Sequence, residues 1–242
     1  MKKSLLISGL LLALTASAAS AGGINLSWTN CFTGLGPQNA TFACNTNTGA
    51  QIMFASFEPN LPQDCIAYDY TIDLQSAATQ LPAWWDVKNA TSCRPTGMSQ
   101  NSDFTSGPFD CIDTWVGTVG GQDFSYTTPG LRGPNTARIQ GGGAVPANAP
   151  VPVDVGSEYY AFKLTVGRAK TAGLGSCGGC ADPVCLVLND IGLYNVVGEK
   201  TIINAPRDRN FVTWQGGAVG GGCPAATPTN KATWGKIKSI YR

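Results

Sequence analysis

Nine cysteines and no histidine set the chemistry open to this chain. The cysteines stand at 31, 44, 65, 93, 111, 177, 180, 185 and 223. Without histidine, a Ser-His-Asp triad and a His-ligated zinc site are both excluded. Thiol chemistry remains, and in an exported chain the default fate of cysteine is a disulfide. Cys31 and Cys44 flank a 12-residue loop rich in Gly, Pro and Asn, and Cys93 and Cys111 bracket a polar stretch, so spacing predicts Cys31–Cys44 and Cys93–Cys111 bridges. Cys177, Cys180, Cys185 and Cys223 would then make two more, leaving Cys65 as the odd thiol. The same four thiols have a rival reading as a metal site, because a Cys-x-x-Cys turn presents two thiolates to one tetrahedral ion. A zinc ribbon repeats that knuckle and this sequence does not, so no metal and no cofactor is expected. A thioredoxin-like role for Cys177-Gly-Gly-Cys180 needs a helix starting at the first cysteine, whereas the chain continues Ala-Asp-Pro-Val-Cys into a β-rich run.

Fifteen acidic residues supply carboxylates, but none sits in a recognisable catalytic motif. There is no Gly-x-Ser-x-Gly elbow, and Gly141-Gly142-Gly143 lacks the Lys and Ser/Thr of a phosphate loop. Calcium-binding loops of the 12-residue hand pattern are absent as well. The most suggestive aromatic feature is Trp84-Trp85, following Leu81-Pro82. Exposed tryptophans stack on sugar rings, which would make this pair a carbohydrate platform; core packing is the favoured alternative. In a strand the two indoles would point to opposite faces, one buried and one exposed.

The elements that must hold these residues read as strands. Segments 24–28, 51–57, 65–74, 115–119, 159–166, 185–195, 201–204 and 211–214 carry β-branched and aromatic residues between Gly/Pro/Asn turns. Alternation in 66–74 puts Ile66, Tyr68, Tyr70, Ile72 and Leu74 on one face and Asp69 and Asp73 on the wet one. Likewise Tyr160, Phe162, Leu164 and Val166 share a face opposite Lys163 and Thr165. Helical periodicity is absent apart from one possible turn over 76–81. Only 13% of residues are charged, while 30 Gly and 15 Pro break the chain at short intervals. The fold expected is all-β, an antiparallel two-sheet β-sandwich with a jelly roll as competitor. Residues 93–158, rich in Gly and Pro, read as a loop elaboration of that domain.

At the N-terminus, residues 1–21 read as a secretory signal, with Lys2 and Lys3 before an apolar stretch and Ala19-Ser20-Ala21 at the cleavage site. Its removal leaves 14 basic and 15 acidic side chains, a balance that gives nucleic acid no electrostatic hold. No later segment is apolar for long enough to be a transmembrane helix. The expected domain is 22–215, followed by a Gly/Pro-rich linker at 216–230 and a tail at 231–242 that has four basic residues and no acid. In that tail Trp234, Ile237, Ile240 and Tyr241 fall on one side of a short helix. Such a helix needs a surface, either its own domain or an export or surface-attachment partner.

Several phrases spread over the chain resemble those of a family of uncharacterised exported bacterial proteins. They are Ile24-Asn-Leu-Ser-Trp28 with Cys31, Leu81-Pro-Ala-Trp-Trp85 with Cys93-Arg94, Cys177-Gly-Gly-Cys180 with Pro183, Cys185 and Asn189, Thr213-Trp-Gln-Gly-Gly217, and the ending Thr233-Trp-Gly-Lys-Ile-Lys-Ser-Ile-Tyr-Arg242. The resemblance implies a secreted protein and no particular activity. Sequence alone thus points to an exported, non-catalytic structural, adhesive or binding protein, periplasmic, cell-surface or extracellular, with a carbohydrate-binding or carbohydrate-cleaving module as the alternative.

Overall fold

The computed structural model describes residues 22–31, 36–107, 111–217 and 223. The expected signal sequence at 1–21, most of the expected linker and the expected tail at 231–242 lie outside the described residues.

Twelve strands run in chain order as β1 Gly23–Trp28, β2 Asn39–Ala40, β3 Ala50–Glu58, β4 Gln63–Ser76, β5 Met98–Asn101, β6 Gly121–Thr127, β7 Thr136–Ala144, β8 Val151–Val153, β9 Tyr159–Gly167, β10 Val184–Asn195, β11 Lys200–Ile203 and β12 Phe211–Trp214. They form two sheets, β1-β3-β9-β5 and β2-β12-β10-β4-β7-β6, with β11 on β10 and β8 on β4. Apart from the short β2–β12 pair, the ladders are antiparallel. There is no helix among the described residues, including 76–81.

Strand β4 is the axis of the larger sheet, running antiparallel to β10 on one side and β7 on the other. Its inward Tyr68, Tyr70, Ile72 and Leu74 are buried in one core with Met53, Ala55 and Phe57 of β3 and Phe162, Leu164 and Val166 of β9. The Tyr70 and Phe162 rings stack across the sheets at 3.7 Å between centroids. Two bulges explain how the period-2 pattern survives or fails. Between Leu188 and Asp190 the register shifts by one, so Leu186 and Leu188 and then Ile191 and Leu193 all enter the core. A second shift opposite Ala55 and Ser56 turns Tyr160 away from Phe162. Tyr160 therefore joins a separate cluster with Phe54, Phe104, Cys31 and Cys111, where simple alternation had placed it on the Phe162 face.

Two further expectations are corrected. Segment 115–119 is not a strand: Trp115 leaves a turn, enters the core against Tyr68 and donates its Nε1 to the Ala161 carbonyl at 2.9 Å. Residues 93–158 are not a loop elaboration, since they contain β5 to β8 and supply the inner strand β7. The glycine triplet hid β7 from view, because a run of Gly lacks the β-branched signature of a strand. Its glycines make room instead. Gly141 and Gly143 lie opposite Tyr70 and Tyr68 on β4, and a Cβ on Gly141 would stand 2.6 Å from the Tyr70 hydroxyl and 2.7 Å from Gln100 Oε1. That gap admits the Tyr70 hydroxyl, which donates to Gln100 Oε1 at 2.7 Å, while Gln100 Nε2 donates to the Gly142 carbonyl at 2.9 Å. Gly141→Ala is expected to destabilise the fold by about 1–3 kcal/mol, the scale of overpacking a filled core. Gly121→Ala, where a Cβ meets nothing within 4 Å, is expected to be near neutral; urea unfolding midpoints of the two variants measure the difference.

Candidate functional site: a tryptophan knot under two disulfides

Trp84 and Trp85, the pair that sequence offers as a sugar platform, are both 0% exposed. They sit in a turn, with the Trp85 amide donating to the Pro82 carbonyl at 2.9 Å, so the alternation of a strand does not apply. Both indoles go inward, with centroids 5.0 Å apart and planes at 72°. Trp214 of β12 is the hub, lying 5.0 Å from Trp84, 5.3 Å from Trp85, 6.0 Å from Trp28 and 4.3 Å from Phe42. Three of the indole N–H groups find acceptors: Trp28 the Thr213 carbonyl at 2.9 Å, Trp84 Thr171 Oγ1 at 2.9 Å, and Trp214 the Cys180 carbonyl at 2.7 Å. No aromatic side chain is among the exposed large apolar residues of the described chain. The platform is therefore not formed.

Two disulfides clamp this knot, Cys93–Cys177 and Cys44–Cys180. The other bridges are Cys31–Cys111 and Cys185–Cys223, and Cys65 is free and buried. The local pairs Cys31–Cys44 and Cys93–Cys111 do not form. Cys31 follows β1 onto the outer face of the smaller sheet and meets Cys111 beside Phe54 and Tyr160, whereas Cys44 packs against the main core near Phe42 and Cys180. Nearness in sequence carries no information about which side of a sheet a cysteine faces. The four-thiol metal reading fails for the same reason, since Cys177, Cys180 and Cys185 belong to three different bridges. Among the described residues no group of three or more metal-binding side chains occurs. Burial pushes the Cys65 thiol up to about 12, with the Asp64 charge adding to it, so at neutral pH it is not a nucleophile.

Sequence reasoning missed Arg94, the cation that closes the knot. Its guanidinium lies over the Trp84 ring at 3.7 Å from the centroid. It donates to the Trp84 carbonyl at 2.7 Å, to the Ala169 carbonyl at 3.0 Å and to the Gly167 carbonyl. Desolvation pulls its pKa down to about 10, which leaves it charged at neutral pH. The signal in the sequence was its place immediately after Cys93. Gln215 performs a similar service beyond β12, its Nε2 donating to the Phe42 carbonyl at 2.8 Å while its Oε1 accepts from the Phe42 amide at 3.1 Å. The Trp84 amide donates to the Gly178 carbonyl at 2.9 Å, and a Cβ on Gly179 would lie 2.1 Å from Pro82 Cβ. Phrases distant in the chain, from Ile24–Trp28 to Thr213–Gly217, thus converge on one structural device.

The carboxylates also prove to be structural. Asp73, read as part of a wet face, is only 4% exposed and takes a two-pronged ion pair from Arg138 at 2.7 and 2.8 Å, with Asn189 Nδ2 at 3.0 Å. Asp69 accepts from the Tyr194 hydroxyl at 2.7 Å and from Lys200 at 2.6 Å. Asp190 on the same face is held above the usual carboxylate range, first by desolvation and then by the Asp69 charge.

No protein-family model and no curated protein matches the sequence. Among solved structures the chain is similar to three cohesin modules. One is the second type II cohesin of the cellulosomal adaptor ScaA scaffoldin of Acetivibrio cellulolyticus, at 10% identity over 77% of this chain and 92% of that one, with a TM-score of 0.32. Another is the cohesin module of a family 33 glycoside hydrolase of Clostridium perfringens, at 8% identity over 77% and 98%, TM-score 0.34. A third is the seventh ScaB type I cohesin of Pseudobacteroides cellulosolvens, at 13% identity over 79% and 90%, TM-score 0.33. Likenesses at this level assign neither activity nor partner.

Removing the Arg94 head group takes the donor from the buried Trp84 carbonyl and from two part-buried ones, and uncovers Trp84. Arg94→Met is therefore expected to destabilise the protein by about 1–3 kcal/mol, the cost of an orphaned buried acceptor. Chemical denaturation followed by Trp fluorescence measures it.

Proposed function

We propose that this protein is an exported, non-catalytic binding, adhesive or structural module of the cell surface or extracellular space. The four disulfides support a life in an oxidising compartment. The observation that carries a binding role is where the exposed apolar side chains stand. The large ones are aliphatic, and most project from turns. Ile112 and Val116 are 60% and 71% exposed on a single turn, between residues that plunge inward: Cys111 is bridged to Cys31, and Trp115 lies in the core. Val116 has φ +49°, a region that β-branched residues avoid. A strained backbone that holds an apolar side chain in water, braced on both flanks, serves contact and not folding. Replacing both residues, Ile112→Ser with Val116→Asn, is expected to leave the melting temperature unchanged or raise it, since Asn tolerates positive φ. The same variant is expected to reduce the fraction of protein retained on producing cells at least several-fold. Unchanged retention would remove this turn from the contact.

Attachment through the basic tail is the finer form of the proposal, with Trp234, Ile237, Ile240 and Tyr241 as the contacting residues of a surface or export partner. Deleting 231–242 separates its two versions. Loss from the cell surface with an unchanged melting temperature is the outcome expected for a partner; a lowered melting temperature shows instead that the tail docks on its own domain.

A further inference from the structure

The two cysteines of Cys177-Gly-Gly-Cys180 do not bridge each other. Two cysteines at a spacing that closes a small ring with each other are instead bonded to separate partners, 84 and 136 residues away. We infer that this segment is a thiol–disulfide relay: two-electron reduction of the knot by a solution dithiol moves the chain to a Cys177–Cys180 bridge and releases Cys44 and Cys93 as thiols.

Access comes first. The sulfur-bearing residues of Cys31–Cys111 and Cys185–Cys223 are all buried. In the knot, Cys177 and Cys180 are 4% and 5% exposed, but their partners Cys93 and Cys44 are only partly buried. A reductant therefore reaches Cys93 or Cys44 before any other sulfur, and exchange rate follows access. Lys170 adds a cation beside the first of these, its Nζ held at 2.9 Å from the Cys93 carbonyl. A positive charge there favours the approach of an anionic thiolate.

The exchange then balances in three displacements. Attack at Cys93 breaks the Cys93–Cys177 bond and leaves Cys177 as the thiolate. That thiolate attacks Cys180 Sγ, forming Cys177–Cys180 and expelling Cys44. The second thiol of the dithiol clears Cys93 and leaves as a cyclic disulfide. The dithiol loses two electrons, two bridges become one, and Cys44 and Cys93 take protons from water. Attack at Cys44 gives the same product in mirror order.

Two features favour the relay over simple opening of one bridge. After attack at Cys93, the freed Cys177 thiolate has the Cys180 sulfur only two intervening residues away along the chain, so its attack closes a short loop. The intervening residues are also both glycine: a Cβ on Gly178 would meet nothing within 4 Å, and Gly179, at φ +104° and close against Pro82, takes a tight turn that a side chain would block. The consequence is local. Segment 81–97 and the Cys44 connection are unlatched from the loop before β10, while Cys31–Cys111 and Cys185–Cys223 stay bridged.

The test uses the full chain, reduced with limiting dithiothreitol, alkylated with N-ethylmaleimide and mapped by peptide mass spectrometry without further reduction. The species that has gained two electrons is expected to carry label on Cys44 and Cys93 in equal amount, with Cys177–Cys180 bridged in more than half of it. Label on Cys93 with Cys177, or on Cys44 with Cys180, in the major species would show that one bridge merely opens and would overturn the relay. First reduction at Cys31–Cys111 or Cys185–Cys223 would overturn the order of access on which it rests. In a Cys44→Ser, Cys180→Ser variant the relay has no acceptor, and label is expected on Cys93 and Cys177 together.

Discussion

Four indoles buried at one end of a β-sandwich govern the rest of this structure. Trp28 and Trp214 arrive on strands whose ladders position them, but Trp84 and Trp85 arrive on an irregular segment with no ladder of its own. Burying such rings removes on the order of 150–250 Å² each from water, a large favourable term, but each also carries an N–H that must be satisfied. Three of the four find acceptors, Trp28 at Thr213 on β12 and Trp84 and Trp214 at Thr171 and Cys180 in the loop between β9 and β10, whereas Trp85 Nε1 is buried without one. Everything else at this end, from Arg94 to Gln215, holds those stretches in register.

The disulfides follow from the same demand. Local bridges over short loops would contribute roughly 3 kcal/mol each by loop-closure entropy, whereas closing loops of about 80 to 136 residues contributes about 4–5 kcal/mol each on the same reckoning. Long-range bridging also does what no short loop can: it ties segments that share no hydrogen-bond ladder. Cys93–Cys177 fastens the Trp84–Trp85 turn to the loop entering β10, and Cys44–Cys180 fastens the approach to β3 to that same loop.

Charge plays a supporting part. On the outer face of the larger sheet Asp73, Arg138 and Asn189 form a nearly buried network spanning β4, β7 and β10. Asp69, Tyr194 and Lys200 join β4, β10 and β11 farther along. Gly192 permits the second network, since a Cβ there would stand 2.1 Å from Lys200 Cε and 2.3 Å from Asp69 Oδ1. Asp69 and Asp73, read from sequence as a wet face, thus tie strands together.

Much of the fold was legible in the sequence, for a physical reason. Strands β4 and β9 are long and alternate between a buried and a more open face, and β1, β3 and β10 carry apolar runs bounded by turn residues, so periodicity and turn chemistry name them directly. An odd count of cysteines made one leftover thiol legible too; that it is Cys65 came out as expected, although the local pairings that singled it out do not form. Tertiary structure decided the rest. It took Tyr160 out of the main core through a one-residue bulge, which no local pattern announces. It turned the Gly141–Gly143 run into an inner strand, because the space a tyrosine needs is supplied by a neighbour on another strand. It sent both Trp84 and Trp85 inward and chose distant cysteine partners. Which side of a sheet a loop crosses is set by the packing of segments a hundred residues apart, and that information exists only once the chain has closed on itself.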